Sequence, residues 1–538
     1  MGRERNHLMY GTVIEVKQKS LKCSAERHAL AMRALFWILA VAIAVALQAG
    51  TQCAMAQAAP ACTAGAAGTA TAALPCLTTL VKDDTASGIY PFNGLELAAA
   101  EADDAAYESL LKICGPAGAG CKGGQLGLFD RLRSLEDNAA ELLGFGETQF
   151  SQNLSTQGLG FALRWTADEE YSAQGSLTNR IASSQFEAVA NRLGTVQAMM
   201  QTLRLARNGY EDDSDDDGDA DSGGSRSGKA LGGAASSDYD AARIGRWGVF
   251  ASAAYDSGTK EPTTFNDAFS FGGTQIEAGA DIRLTPGLIV GVLLNDVQQH
   301  ADFNSVLSIV SGNVKGSGGG LTGYAANNWG AFSVNGSIGV QRMSLDARRV
   351  VAYPSNNALI SSVNSSFFSS TNATSVLASA GAAYIFYLRA FSAEPYLNWE
   401  YIGTRIGAFA EAGRGTDPEF AVSVAGQSIS SLQSVVGMKL QYAISSRLGV
   451  VNPYVYGEFR HEFRDESQAI SSQYENSSSV PDHFQLPTDD IDPNYYEVGG
   501  GLSVVLPHRL EIHAQYMKVL QLQNYSYYAV FGGFRYGF

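Results

Sequence analysis

At 538 residues the chain is long enough for two or three domains. Its 17% charged residues fall below the usual quarter, with glycine abundant at 58 and proline scarce at 14. A formal net charge of −16 excludes a nucleic-acid partner, because phosphate binding needs a basic face.

The first element is an export signal. Arg27, His28 and Arg33 precede an apolar stretch from Leu35 to Ala49, and Ala54-Met55-Ala56 follows as a small-residue cleavage site. At about 15 residues the stretch is short for a spanning helix, which needs about 20. Residues 1–56 are therefore expected to be a signal peptide with an extended leader, Met32 being an alternative start. Gly50-Thr51-Gln52 before Cys53 does not suit lipoprotein processing. After cleavage Cys62, Cys76, Cys114 and Cys121 remain. An even number in an exported chain suggests two disulfides with three possible pairings. The local pair Cys114–Cys121 across GPAGAG is favoured. No C-x-x-C spacing exists, so zinc and thioredoxin-type chemistry lack support.

Residues 57–150 read as a small helical region, its first part to residue 92 being Ala/Thr/Gly-rich and expected to be poorly ordered. Helix formers without Gly or Pro fill 95–114. In 126–143, Leu128, Leu132, Leu135, Ala139 and Leu142 lie on one helical face, and Gly144 and Gly146 stop it. Residues 151–210 form a connecting segment and an amphipathic helix. Between Leu177 and Arg207 its apolar face is Phe186, Val189, Leu193, Val196, Met200 and Leu203, with Arg180, Arg192, Arg204 and Arg207 spread along it. A rod of about 46 Å would cross a hydrocarbon core of about 30 Å, although a bundle helix shows the same periodicity. Residues 211–245 are an acidic low-complexity linker. Asp213, Asp215, Asp217, Gly218, Asp219 and Asp221 match the start of a calcium loop, but Gly224 stands where a bidentate Glu is required. Gly223 to Lys229 has P-loop spacing, but Ala230 replaces the magnesium-binding hydroxyl and no apolar strand precedes it.

From 246 to 538 the texture is alternation. Ile276, Ala278, Ala280, Ile282 and Leu284 form one face, against Gln275, Glu277, Gly279, Asp281 and Arg283. About twelve such segments lie near 246–256, 274–284, 288–300, 318–328, 330–345, 374–388, 392–406, 430–444, 450–464, 495–506, 508–520 and 527–538. Each has 11–16 residues, against about 5–6 for a soluble strand. Short and long connections alternate. Long strands, an even count and aromatic residues near strand ends (Tyr255, Trp329, Trp399, Tyr401, Tyr516 and Tyr536) are what a transmembrane barrel requires. Closure leaves no sheet edge unpaired in lipid. The fold class expected is an all-β transmembrane barrel of about twelve antiparallel strands, with a mostly helical N-terminal region and a pore-threading α-helix. Its lumen-facing charges would be Glu277, Asp281, Arg283, Glu394, Glu400, Glu458, Arg460 and Glu511. With an even count both barrel termini lie on the periplasmic side.

The ending Phe534-x-Tyr536-x-Phe538 resembles the C-terminal signature of Gram-negative outer-membrane proteins, which implies reading by the barrel assembly machinery and handling by periplasmic chaperones. The whole arrangement resembles the autotransporter family of type V secretion. ALRWTADEEYSAQG at 162–175, followed by QFEAVANRL at 185–193, is similar to the segment preceding the barrel in that family. The resemblance implies that the 177–207 helix threads the pore, where its arginines would meet Glu277, Asp281, Glu394, Glu400 and Glu458 in partly solvated pairs worth about 0–1 kcal/mol each. In place of the family's repetitive passenger stands a short helical region. The linker is long and acidic, and no Asn-Asn processing junction is evident in the helix, so the chain is expected to stay uncleaved. The expected function is a translocator barrel in outer-membrane lipid, exported and monomeric, displaying a short N-terminal domain for a surface or adhesion-like role. The competing reading is a passive pore or structural protein with a plugged lumen and no secreted passenger. No G-x-S-x-G, GDSL-like block or H-E-x-x-H is present and histidines number seven, so no catalytic residue, metal ligand, cofactor or enzyme activity is assigned.

Overall fold

The computed structural model describes Cys62 and residues 76–146, 149–211, 246–303, 308–446, 449–464, 469–477 and 484–538, with the side chains of 195–211 outside the description. The export signal and the acidic linker therefore lie outside the described residues.

Twelve antiparallel strands close into a barrel. They are β1 (Trp247–Lys260), β2 (Phe269–Arg283), β3 (Leu288–Phe303), β4 (Gly312–Trp329), β5 (Phe332–Tyr353) and β6 (Val363–Tyr384), then β7 (Phe391–Ile406), β8 (Gln427–Tyr442), β9 (Gly449–Glu462), β10 (Asn494–Val505), β11 (Leu510–Leu520) and β12 (Tyr525–Gly537). Each pairs with its sequence neighbour, and β1 also pairs with β12 from Gly248↔Gly537 to Lys260↔Tyr525. The Phe538 N–H donates to the Trp247 carbonyl at 3.0 Å and the Phe538 carbonyl accepts from the Trp247 N–H at 3.2 Å, so the ladder runs to Phe538.

Side chains alternate in the sense lipid demands. Ile276, Val292, Leu294, Ile338 and Val455 are more than half exposed on the outer face, while Gln275, Glu277, Leu293 and Gln341 beside them are buried inward. A water-soluble sheet shows the opposite distribution. Connections differ at the two ends. At the end holding Trp247 and Phe538, the terminal end, the loops are short. At the far end they are long, and four pieces of them (residues 409–410, 422–424, 470–474 and 484–486) form a second antiparallel sheet.

The N-terminal residues form a cap of four helices: α1 (Leu77–Ser87), α2 (Gly94–Cys114), α3 (Gln125–Leu142) and α4 (Thr156–Thr166). The expectation of poor order up to residue 92 is corrected by α1. Its N-terminus is pinned by the Cys62–Cys76 disulfide and by side-chain acceptors on α2 and α3. Asn93 and Glu96 make a reciprocal capping box at α2, with bonds of 2.8 and 2.7 Å. The second disulfide is Cys114–Cys121. Leu95, Tyr107, Leu110, Phe129 and Leu132 of the cap share one continuous apolar core with Phe269, Phe303, Val351, Phe367, Phe420 and Tyr474 of the strand ends and far-end loops. The cap therefore sits on the barrel's far end. A 3-10 turn, Glu169–Tyr171, leads from it into α5 (Ser172–Glu211).

Candidate functional site

The lumen is the site. At about 1.5 Å per residue, the 40 residues of α5 span about 60 Å, more than the hydrocarbon thickness. Ser176 near its start lies 3.3 Å from the Tyr525 hydroxyl at the far end, whereas Arg192 meets Asp281 toward the terminal end. The helix therefore descends through the barrel.

It leans on one wall. Ile181 packs with Val297, Met343, Leu345 and Ile406. Ala182 and Phe186 pack with Leu377 and Ile402. Val189 and Leu193 pack with Phe250, Leu293 and Tyr324. These inward apolar residues on β1 and β3–β7 give the helix a dry seat. Gly320 makes room for it: a Cβ there would fall 2.6 Å from the Gln185 Nε2. Gln185 instead bonds Thr322 at 2.5 Å and pairs with Gln341, which also accepts from Asn295 at 3.1 Å. Val196, Met200, Leu203, Arg204 and Arg207 belong to the stretch whose side chains lie outside the description.

Two arginines of α5 anchor it. Arg180 donates to Asp256 at 2.7 Å and lies 3.8 Å over the Tyr527 ring. Arg192 donates through Nε to Asp281 at 2.7 Å, and Asp281 also faces Arg535 at 3.5 Å and the Tyr324 hydroxyl at 3.3 Å. The Arg192 and Asp281 side chains are each 3% exposed. The expected partly solvated pairing is thus corrected to a buried pair, which would cost several kcal/mol to break from one side. Asp256 was missed because Ser, Gly and Asp around it blur the alternation.

The other expected carboxylates have partners on the barrel wall. Glu400 and Glu458 are held by Arg460 at 3.2 and 2.8 Å, together with Glu497 at 3.3 Å. Tyr396 donates to Glu458 at 2.6 Å and Tyr456 to Glu497 at 2.8 Å. Glu277 accepts from Ser252 at 2.7 Å, and Glu511 from Ser503 at 2.8 Å. Glu394 stands opposite Lys439 in the β7–β8 ladder. Arg283 is half-buried at the terminal end of β2. Between α5 and the β8–β12 wall a cavity of about 770 Å³ remains in the far half, lined by Arg180, Glu187, Gln433, Tyr495, Tyr525 and Tyr527 among others. Phe534, Tyr536 and Phe538 are half exposed on the outer face of β12 and its end, with the Tyr536 and Phe538 rings stacked 6.5 Å apart.

At the far mouth, one buried ion pair within the barrel, whose members also bond Thr166 and Tyr171, and one between cap and barrel lie beneath the cap. Arg349 of β5 holds Glu411 through two bonds, 2.9 and 2.8 Å, and donates to the carbonyls of Phe420 at 2.8 Å and Thr166 at 3.3 Å. Glu411 also accepts from the Tyr171 hydroxyl at 2.5 Å and the Val422 N–H at 2.9 Å. Arg164 of α4 pairs with Asp267, which caps the backbone N–H groups of Ile309 and Val310 at 2.8 and 3.0 Å. Sequence reasoning missed this layer, since Glu411 lies 62 residues from Arg349 and 240 from Tyr171, and Arg164 lies 103 from Asp267. Among the described residues no group of three or more His, Cys, Asp or Glu is arranged to hold a metal ion.

No curated protein matches the chain. Solved structures similar to it include the translocator domain of the autotransporter NalP from Neisseria meningitidis, with 15% identity, coverage of 55% of this chain and 89% of that one, and a TM-score of 0.43. The β-domain of the Bordetella autotransporter BrkA gives 17%, 55%, 100% and 0.37 in the same order. The transport unit of AIDA-I from Escherichia coli gives 13%, 56%, 93% and 0.36. The family model described as the autotransporter beta-domain matches residues 249–517, half of the chain. The chain belongs to the autotransporter family, with a translocator-type barrel of the outer membrane.

Proposed function

We propose that the barrel displays its own N-terminal cap at the cell surface and keeps it there. On this reading the terminal end faces the periplasm and the far end the outside, lipid hydrocarbon covers the outer apolar band, and assembly machinery and periplasmic chaperones handle the Phe534, Tyr536 and Phe538 ending. The chain acts as a monomer, and the exposed cap serves a surface or adhesion-like role. The observation that carries the reading is the continuous apolar core shared by cap and far-end loops. A passenger destined for release would be soluble once detached. Release here would uncover Phe129, Leu132, Phe367 and Phe420 to water, at about 1.5–3 kcal/mol for each large apolar side chain. The unbroken run from turn to α5 through the lumen further supports retention without cleavage.

The test uses two single-cysteine variants, Ile89→Cys on the cap and Leu359→Cys on a far-end loop, at positions 70% and 80% exposed. Both should react with a membrane-impermeant maleimide on intact cells. Labelling of residue 359 but not 89 would refute display of the cap. Protection of both until lysis would refute the orientation and favour a plugged structural barrel.

A further inference from the structure

A dry layer of acid groups lies where cap, α5 and barrel mouth meet. Asp168, Glu169 and Glu170 lead into and form the 3-10 turn, and each is at most 2% exposed. Among the described residues, no donor makes a well-formed hydrogen bond to either carboxyl oxygen of Asp168 or of Glu170, the Ser472 hydroxyl and the turn's own backbone being the nearest. Glu169 accepts from the Asp267 N–H at 2.8 Å through one oxygen, and the other lies 3.7 Å from Arg164.

Every element packed around the turn adds charge. From α2 comes Asp103, which accepts from Tyr474 at 2.7 Å and Thr166 at 3.1 Å. From α4 comes Arg164, already paired with Asp267 of the loop after β1. From β5 comes Arg349, already saturated by Glu411. Lys260 at the end of β1 is held by Asp489 of the loop before β10 at 2.8 Å. Tyr171, Tyr353 and Tyr474 complete the surround as neutral phenols. Six carboxyl groups (Asp103, Asp168, Glu169, Glu170, Asp267 and Glu411) thus share two guanidiniums in a layer without water access. An unpaired buried carboxylate is too costly to keep, so the excess groups take up protons.

We propose that this layer is a proton-operated latch: the cap docks with protons on its surplus carboxyl groups, and losing them frees the cap from the barrel mouth. Burial raises Asp168 to about 6, Asp103 to about 7 and Glu169 to about 8, against the pull of Arg349, Tyr474 and Arg164 respectively. Burial also lifts Glu170 well above the ordinary carboxyl range. The sign follows. A group whose docked pKa is raised favours docking below its free value, and that gain is lost as pH climbs through the docked value. Docking is therefore strongest in acid and weakens as pH climbs above the free carboxyl range of about 4, with Asp168 ceasing to add to the loss above about pH 6, Asp103 above about 7 and Glu169 above about 8, while Glu170 continues beyond.

The full chain, folded in detergent, is treated with protease from about pH 5 to about pH 9.5, and the intact cap is followed on gels. The heat-modifiable barrel band serves as fold control. The scan is repeated with Glu136→Gln, which removes the cap's other buried acid pair. The cap should be protected in acid and cut in base, with the docking constant falling about 100-fold per pH unit across the steepest part, the mark of about two protons released. Asp168→Asn with Glu170→Gln, and Glu170→Gln alone, should move the midpoint upward by about one pH unit or more. Protection that does not change with pH overturns the latch. So does an unchanged midpoint in whichever of these variants retains the folded barrel band.

Discussion

Replacing Arg349 by Met tests whether the cap is fastened by polar bonds or by its apolar core alone. Arg349 and Glu411 side chains are both 0% exposed, so their pair is fully desolvated. Truncating one member of such a pair costs about 3–5 kcal/mol, because the remaining charge is stranded. Glu411 would still accept from Tyr171 and Val422, which places the expected loss at the lower end, about 3 kcal/mol. Two carbonyls, those of Phe420 and Thr166, would lose a donor as well. A loss of about 3 kcal/mol weakens docking by about 150-fold. The measurement is limited proteolysis of the cap along a urea series at about pH 5, below the raised values of Asp168, Asp103 and Glu169. A cycle with Glu411→Gln completes it. Glutamine carries no charge and keeps its one oxygen for the Val422 N–H, while the Tyr171 hydroxyl, which bonds the other carboxylate oxygen, can turn to accept from the amide NH2, so the double variant should recover about 2 kcal/mol of the summed single losses. Arg349→Lys should not rescue, since an ammonium cannot make the two-pronged contact and reach both carbonyls. If Arg349→Met costs under about 1 kcal/mol, or if the cycle is additive, the pair does not fasten the cap and the argument fails.

Two further outcomes are expected. Glu136 and Asp104 together cap the N-terminus of α1, accepting from Cys76 at 2.6 Å and Thr78 at 3.0 Å, and burial raises both carboxyl groups. Their contribution is present in acid and lost as pH rises through the raised values, so the cap's urea midpoint should fall in base for the wild type and less so for Glu136→Gln; parallel curves would refute the raised titration of this pair. Reductant should lower the cap's urea midpoint while leaving the barrel band intact, because the Cys62–Cys76 bridge spans 14 residues and a loop of that size is worth about 3 kcal/mol; equal loss in both parts would show that the cap supports barrel folding.

The twelve strands were legible because lipid on one face and a polar lumen on the other impose the same alternation for 290 residues. The alternation changes phase toward the far end for a physical reason. There Phe269, Phe271, Ala301 and Phe303 point inward to meet the cap while Ser270, His300 and Asp302 take the other face, so the apolar phase of the alternation switches from the outside to the inside. That is why β2 begins at Phe269 where the alternation suggested about 274, and why β5 and β6 extend to 22 residues each. Leu77–Ser87 was hidden by its Thr-rich composition and by a capping device supplied from α2 and α3, which no local window contains. The small far-end sheet is made of pieces two to five residues long, too short to carry a period. In the lumen, charged residues announced themselves, but their partners did not. Arg192 and Asp281 are 89 residues apart, and Arg460 serves Glu400 and Glu497 rather than the helix. Charge type can be read from a sequence; the choice among equally charged neighbours is made by barrel register.

The seam between β1 and β12 joins residues nearly three hundred positions apart. Loop-closure entropy must be overcome before that contact yields any return. No ribosome-bound or clipped fragment lacking β12 can seal itself, and such a fragment would present two raw strand edges to whatever sheet lies nearby. Closure thus hinges on one strand: only a chain carrying β12 can become a cylinder.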